Sequence, residues 1–332
     1  MLTGLRAQPL RRFAQVGFFV LFVLAPPLNL FRLDVDAGHF VLFGQAWVLD
    51  VEALIRSGRA DPWEVAWRLL SRGLLPIVLV VGGTLWVAYR WGRLYCGWLC
   101  PHFSVVELLN ALTRRAIGRF SLWDRDPLPD RIRPGVARQP NKTYWLVIAP
   151  TILALAWLWA ISLLTYLQSP ALVWGNLWAG TLTRNQMVFI GVGTGLFSAE
   201  FLLARHLFCR YACAAGLFQS LVWLVNKKAL VIGYQRPRAA ACGGCDNACD
   251  HACPMHLTPR TVKRLMFACV QCGRCLAACE NRQAEDSGQA PLLHWTRADL
   301  AAASEAAFTP KQARQAQIEP SVPAAPPSEG GR

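Results

Sequence analysis

The sequence predicts a mainly α integral membrane protein, with four transmembrane helices arranged as two repeated hairpins and a small cysteine-rich domain at the C-terminal end. Three observations lead there. Of 332 residues, 54% are hydrophobic and only 16% are charged, against roughly 25% charged in an average soluble domain. Apolar runs long enough to cross about 30 Å of hydrocarbon, which takes roughly 20 residues, recur along the chain. The 12 cysteines fall into four tight groups, which in a long chain reads as metal ligation and not as a disulfide scaffold.

The expected spans cover residues 13–31, 74–89, 144–167 and 186–204. Arg6, Arg11 and Arg12 precede or open the first, but no small-residue cleavage site follows Pro26-Pro27, so it reads as a retained helix and not as a removed signal. Basic residues in the connections set the orientation. The N-terminus has three and no acid, residues 114–142 have eight against three acids, and residues 227–282 have nine against three. The alternate loops lack such an excess: residues 32–73 hold five basic and six acidic residues, and 168–185 hold Arg184 alone. Both termini and every cysteine group are therefore expected on the cytoplasmic side of a bacterial inner (cytoplasmic) membrane crossed several times. Trp47, Trp63, Trp174 and Trp178 on one side, with Trp91 and Trp98 on the other, suit interfacial anchoring. The net charge of +14 lies in blocks between uncharged runs, which fits lipid headgroups as a partner and argues against nucleic acid.

A shift of 113 residues lays Leu94-Tyr95-Cys96-Gly97-Trp98-Leu99-Cys100 over Leu207-Phe208-Cys209-Arg210-Tyr211-Ala212-Cys213, and Arg114-Arg115 over Lys227-Lys228. Each copy reads as a membrane helix, a Cys-x3-Cys at its inner end, an apolar segment too short to span, and a basic stop. The duplication puts Cys96, Cys100, Cys209 and Cys213 at equivalent depths, where the two pairs could approach one another. At i, i+4 on a helix, two thiols face one side and can share a metal or cycle between thiol and disulfide; the alternative is small apolar packing residues. His102 and His206 lie close by as possible ligands or proton carriers. Glu200, near the inner end of the fourth span, is a candidate for proton transfer, with Arg205 as the neighbour expected to neutralise it.

After the last span come Cys242-x2-Cys245-x3-Cys249-x3-Cys253-Pro254 and Cys269-x2-Cys272-x2-Cys275-x3-Cys279. Three thiolates on one tight loop can hold three corners of an iron–sulfur cube while a distant cysteine closes the fourth, so the last ligand of each group serves the other cluster. On that scheme one [4Fe-4S] cluster takes Cys242, Cys245, Cys249 and Cys279, and a second takes Cys269, Cys272, Cys275 and Cys253. Gly243, Gly244 and Gly273 suit loops that need positive backbone angles. Two four-cysteine zinc sites are the alternative. The first group has one residue more than expected between Cys245 and Cys249, and Asp246 and Asp250 in that loop are potential substitute ligands. No covalent haem motif, no histidine inside the expected spans, no phosphate-binding glycine loop and no dinucleotide fingerprint occur. Electrons then enter or leave through clusters, thiols or a quinone.

These residues carry a resemblance. The sequence is similar to the NapH-type membrane polyferredoxins, with the NosR and CcoG proteins as relatives, at Asp61-Pro62, at Gly92-Arg93-Leu94-Tyr95-Cys96-Gly97-Trp98-Leu99-Cys100-Pro101, at Ser169-Pro170, at Cys209-Arg210-Tyr211-Ala212-Cys213 and at the C-terminal cysteine groups. The resemblance covers roughly residues 10–282. It implies four membrane helices, two Cys-x3-Cys-Pro motifs facing the cytoplasm and two [4Fe-4S] clusters in a ferredoxin-like domain. It also implies a quinol dehydrogenase or electron-transfer subunit that links the quinone pool to other respiratory redox proteins. A CcoG-like copper-handling assembly factor, with copper at the Cys-x3-Cys pairs, and a NosR-like redox regulator are the alternatives. Ala214 stands where the family has proline after the second pair. The chain accordingly divides into a first membrane hairpin (1–113), a basic loop (114–143), a second hairpin (144–228), a two-cluster ferredoxin-like domain (229–295) and an Ala/Pro/Ser-rich tail (296–332) expected to be disordered. No further domain is expected after that tail, which favours the NapH-like over the CcoG-like reading.

Overall fold

A bilayer lets a helix leave its apolar side chains unpacked, and the longest helices here do so. The computed structural model describes residues 4–49, 51–56, 58, 61–124, 128, 140–242, 245, 247–261, 263–286 and 289–306. Residues 125–127 and 129–139 of the expected basic loop, the tail beyond 306, and Gly243, Gly244 and Asp246 lie outside the described residues. Three helices are long and apolar enough to cross a membrane: α2 (Pro62–Trp91), α5 (Lys142–Leu167) and α7 (Arg184–Ala204). Ile77, Leu79 and Val80 on α2 are each more than 60% exposed within the chain, a state that lipid and not water makes favourable.

The first expected span is redrawn. A helix, α1, runs Gly4–Leu24 and stops before the expected end, because Ala25–Leu30 turn into an antiparallel sheet of β1 (Phe31–Asp34), β2 (His39–Leu42) and β3 (Gln45–Trp47). Its N-terminal half carries Arg6, Arg11 and Arg12, and Arg11 is buried against protein. The N-terminal half of α1 therefore packs on protein, against Glu107 and the cysteine-rich segment, and its apolar half, through Phe19 and Phe22 on Trp159, lies along α5.

The repeat is visible in the backbone. Gly92 ends α2 at φ 69°, and Arg205, its equivalent in the second copy, ends α7 at φ 38°. Glycine adopts that geometry freely, whereas Arg205 is strained by about 1–3 kcal/mol. Its guanidinium compensates by donating to Phe201 O (2.7 Å), Thr113 Oγ1 (2.7 Å) and Phe120 O (3.0 Å). After each break a wide turn follows, in which Cys100 N–H donates to Tyr95 O and Cys213 N–H to Phe208 O, both i to i+5. In the first copy the turn includes α3 (Leu94–Trp98). Cys100 and Cys213 are themselves extended and start the short helices α4 (Pro101–Ile117) and α8 (Ala214–Val225). The cysteines of each pair are therefore not one turn apart on a single helix, as their spacing suggested. Pro101 and Ala214 occupy the same first-turn position, where a missing N–H costs nothing, so the departure at Ala214 leaves the backbone unchanged.

The two copies exchange their short helices. Asn226, at the end of α8, donates to Tyr89 O of α2 at 2.7 Å, and Arg93 donates to Gly216 O of α8 at 2.7 Å. The short helix α4 lies instead against α1 and α5, sharing a core of Val105, Leu109, Ile148, Ile152 and Trp159. A further helix, α6 (Pro170–Ala179), leads from α5 toward α7.

The cysteine-rich segment is closed by strands that sequence reading did not anticipate. β4 (Leu230–Tyr234) pairs antiparallel with β5 (Leu293–Arg297), with α9 (Arg274–Asp286) between them in sequence. The expected tail therefore begins too early: Thr296 and Arg297 complete β5, and α10 (Ala298–Ala306) follows. An alanine-rich run has high helix propensity, and Ala298 N–H donates to Ala229 O at 2.9 Å, which ties that run to β4.

The cysteine-rich domain and the membrane helices meet at a glycine. A Cβ on Gly97 would lie 2.0 Å from Val270 O, whereas one on Gly82 of α2 would meet nothing within 4 Å. Gly97→Ala is expected to destabilise the protein by about 1–3 kcal/mol through overpacking against a backbone atom. Gly82→Ala should be neutral or slightly stabilising. Thermal unfolding of both variants in detergent checks this.

Candidate functional site

Two recesses are lined by cysteine. One is lined by Cys242, Cys245, Cys249 and Cys279 with Tyr234 and Arg260. The other is lined by Cys253, Cys269, Cys272 and Cys275 with Met255 and Leu257. The fourth thiol of each comes from the distant sequence group, because α9 carries Cys275 and Cys279 back across the short helix Ala248–His251. The lengthened loop is absorbed by Asn247, which takes a left-handed turn at φ 52° and lets Cys249 reach its recess. In the second loop Gln271 (φ 55°) and Gly273 (φ 68°) turn the backbone. Asp250 stays beside this recess, where it accepts from Arg260 at 2.7 Å and from Cys249 Sγ at 3.4 Å.

The donor chemistry suits a polynuclear sulfur-bound cluster. A zinc ion draws four sulfurs to about 2.3 Å from one point. Among the described residues no three His, Cys, Asp or Glu side chains converge on a single-ion position. The thiols instead ring open recesses, and backbone N–H groups aim at them. Those of Met255 and Leu257 point to Cys253, that of Gln271 to Cys269, that of Arg274 to Cys272, and those of Leu292 and Leu293 to Cys279. Such hydrogen bonds hold negative charge on sulfur and tune iron–sulfur centres. Burial, and then Cys272, push the Cys253 thiol up to about 11, so the apolar setting disfavours a bare thiolate.

The Cys-x3-Cys thiols form a third cluster. Cys96, Cys100, Cys209 and Cys213 all lie within electrostatic reach of one another, and none is in a disulfide. Burial pushes the Cys96 thiol up to about 12. Arg93, 2% exposed, crosses between the copies and donates to Cys209 O at 2.9 Å. Cys96, Cys100 and Cys209 pack on the same core as Cys253 and Cys272, so this thiol group adjoins the second recess.

Glu200 has two neighbours. Arg205 is within electrostatic reach of it, as expected, while its hydrogen bonds go to Phe201, Thr113 and Phe120, and His102 Nε2 lies 3.4 Å from Glu200 Oε1. His206 instead stacks on His256, with centroids 4.0 Å apart and planes 6° from parallel, while His256 Nδ1 lies 3.1 Å from Asp124 Oδ1. Burial, then His256, lowers His206 from 6.5 to about 4. Sequence reading missed His256 and Asp124, which are 132 positions apart by number and have no shared motif.

A family model described as a 4Fe-4S binding domain matches residues 73–119 and 185–230, which are the two copies of the repeat and include all four Cys-x3-Cys thiols. The chain is 24% identical over 293 residues to the ferredoxin-type protein NapH of Escherichia coli, spanning 81% of this chain and 85% of that protein. It is 29% identical over 261 residues to the methylamine utilization ferredoxin-type protein MauN of Methylorubrum extorquens, spanning 75% and 76%. The nitrogen fixation protein FixG of Rhizobium meliloti is 27% identical over 236 residues, spanning 61% of this chain and 40% of FixG. No solved structure matches.

The His206 environment makes a pH prediction. Between pH 6.5 and about 4 the unfolded chain binds a proton at this residue that the folded chain refuses, so stability falls as pH drops through that window. The loss is expected to reach ~3 kcal/mol at the lower end. His206→Phe, which keeps the ring stack, should flatten that part of the profile when unfolding is measured at pH 7.5 and pH 4.5 in parallel.

Proposed function

Because this chain belongs with the NapH-like membrane ferredoxin-type proteins, we propose that it passes electrons between the quinone pool and partner redox proteins of a respiratory pathway. It is an iron–sulfur electron-transfer protein of the membrane. The finer reading is that two [4Fe-4S] clusters sit in the C-terminal domain of a multi-pass protein of the bacterial cytoplasmic membrane, with both termini and the cysteines on the cytoplasmic side. The observation that carries it is the sorting of eight cysteines into two recesses of four, each completed by a cysteine from the other sequence group.

Cys242, Cys245, Cys249 and Cys279 would hold one cluster, and Cys253, Cys269, Cys272 and Cys275 the other. When bound, such clusters supply one-electron chemistry at a potential set by burial and hydrogen bonds to sulfur. The chain's own contribution is positional. Its N–H groups hold charge on the ligand sulfurs, β4 and β5 close the domain, and Trp98 Nε1 donates to Gln271 O at 3.0 Å, docking the membrane repeat on the second cysteine loop.

A second reading is supported by the grouping of Cys96, Cys100, Cys209 and Cys213 within electrostatic reach of one another. Soft thiolates suit Cu(I), so a copper-handling or assembly role is chemically sound. Under it the four thiols bind the metal and the clusters supply electrons.

Electron paramagnetic resonance of anaerobically purified protein, before and after a quinol analogue and then dithionite, tests both readings. Two cluster signals are expected, with at least one appearing on quinol addition. Cys272→Ser and Cys279→Ser should each remove one signal and about half of the iron. Signals that respond to dithionite alone would remove the quinone link. Zinc without iron would overturn the cluster reading. Copper bound by the wild type and lost in a variant with all four Cys-x3-Cys thiols replaced, with quinol oxidation intact, would favour the second reading.

A further inference from the structure

Glu107 of α4 is the most heavily contacted carboxylate among the described residues. Arg11 of α1 donates to both its oxygens, at 2.7 and 3.1 Å, Gln15 Nε2 donates at 2.7 Å, and Arg274 of α9 donates at 3.0 Å. Three segments far apart in sequence thus meet on one anion. The Glu107 side chain is 10% exposed and that of Arg11 3%, so this is no surface ion pair of negligible worth.

The group is aimed at one cysteine loop. Arg274 lies between Cys272 and Cys275, and its own N–H points to the Cys272 sulfur. Gln8, one turn before Arg11, donates to Cys272 O at 3.0 Å, and Arg11 Nη1 donates to Gly97 O at 3.2 Å. Around the other recess the nearest pair is a separate one, Arg260 with Asp250. Two cations on one anion leave a net positive charge, with Glu107 and Arg11 buried and Arg274 partly buried, where charge acts over longer distances than in water. A pure clamp needs only a neutral pair. The unbalanced cation favours whichever state of its neighbour carries the additional electron.

We infer that Glu107, Arg11 and Arg274 form a charge hub that sets the reduction potential of the cluster held by Cys253, Cys269, Cys272 and Cys275, while leaving the other cluster unaffected. The inference rests on the cluster reading above. The three residues are positioning residues: they touch no sulfur with their side chains and act through charge and through the loop they hold. The hub also explains why α1 carries a buried arginine, Arg11, inside a helix whose second half is apolar.

The test is a potentiometric titration, followed by electron paramagnetic resonance, of the full-length protein in detergent. Glu107→Gln removes the anion and should raise one midpoint potential; Arg274→Gln removes a cation and should lower that same midpoint. Each shift should be about tenfold in the reduction equilibrium, or ~59 mV for one electron. The double variant should return near the wild type. Arg260→Gln should lower the other midpoint and so identify it. Opposite shifts at one signal cannot come from a loosened fold, which would move both variants alike. Shifts of the same sign, equal movement of both signals, or no movement would overturn the hub while leaving the clusters standing. A wild type without iron–sulfur signals would overturn the cluster reading, and the hub with it.

Discussion

The close approach of the Cys96–Cys100 turn to the loop bearing Cys269 and Cys272 is the contact on which the rest of the molecule depends. Gly97 has no side chain to hold Val270 away, Trp98 bonds to Gln271 O, and a single core runs from Phe103 and Trp223 through Met255 and Val270 to Cys272. Membrane helices and cysteine domain therefore share buried surface. A redox group in the second recess would lie against the Cys-x3-Cys thiols, whereas the first recess faces away, between Tyr234, Arg260 and α9.

The duplicated hairpins supply that contact asymmetrically. Both copies break their helix with a left-handed residue and restart it at an extended cysteine, and the four thiols lie within electrostatic reach of one another. Yet the first copy docks through Gly97 on Val270, and the second through Arg210, which donates to Met255 O at 3.4 Å. Exchange of α4 and α8 between the copies locks the halves together. Arg93 bonds across that seam, and Arg205 accepts a strained backbone in return for three buried acceptors. The result is one scaffold with two non-equivalent faces toward the cysteine domain.

Much of this was legible in advance where the cause is local. Hydropathy located the cores of α2, α5 and α7, because hydrocarbon thickness dictates the length of an apolar helix. Cysteine spacing grouped the thiols as the recesses do, because a tight loop can present only three sulfurs to one place. The first apolar run misled at both ends: Arg11 at its start is buried against protein, and its expected end turns into a sheet. The β4–β5 pair and α10 went unread because their register depends on partners some 60 residues away. Arg205 is within electrostatic reach of Glu200, as its place in the sequence suggested, but its hydrogen bonds turn to α4 and Phe120, which no local pattern foretells.

By itself the sequence determined a membrane-embedded, internally duplicated chain with a sulfur-rich electron-transfer domain, since apolar length, repeat spacing and thiol spacing are local properties that no packing can change. The tertiary structure decided which buried charges face which cysteines. Glu107 meets Arg11 and Arg274, 96 and 167 positions away, and His206 meets His256. Such pairings follow from helices crossing in space, and a charge acts on whatever lies nearby in that space, whatever the distance along the chain.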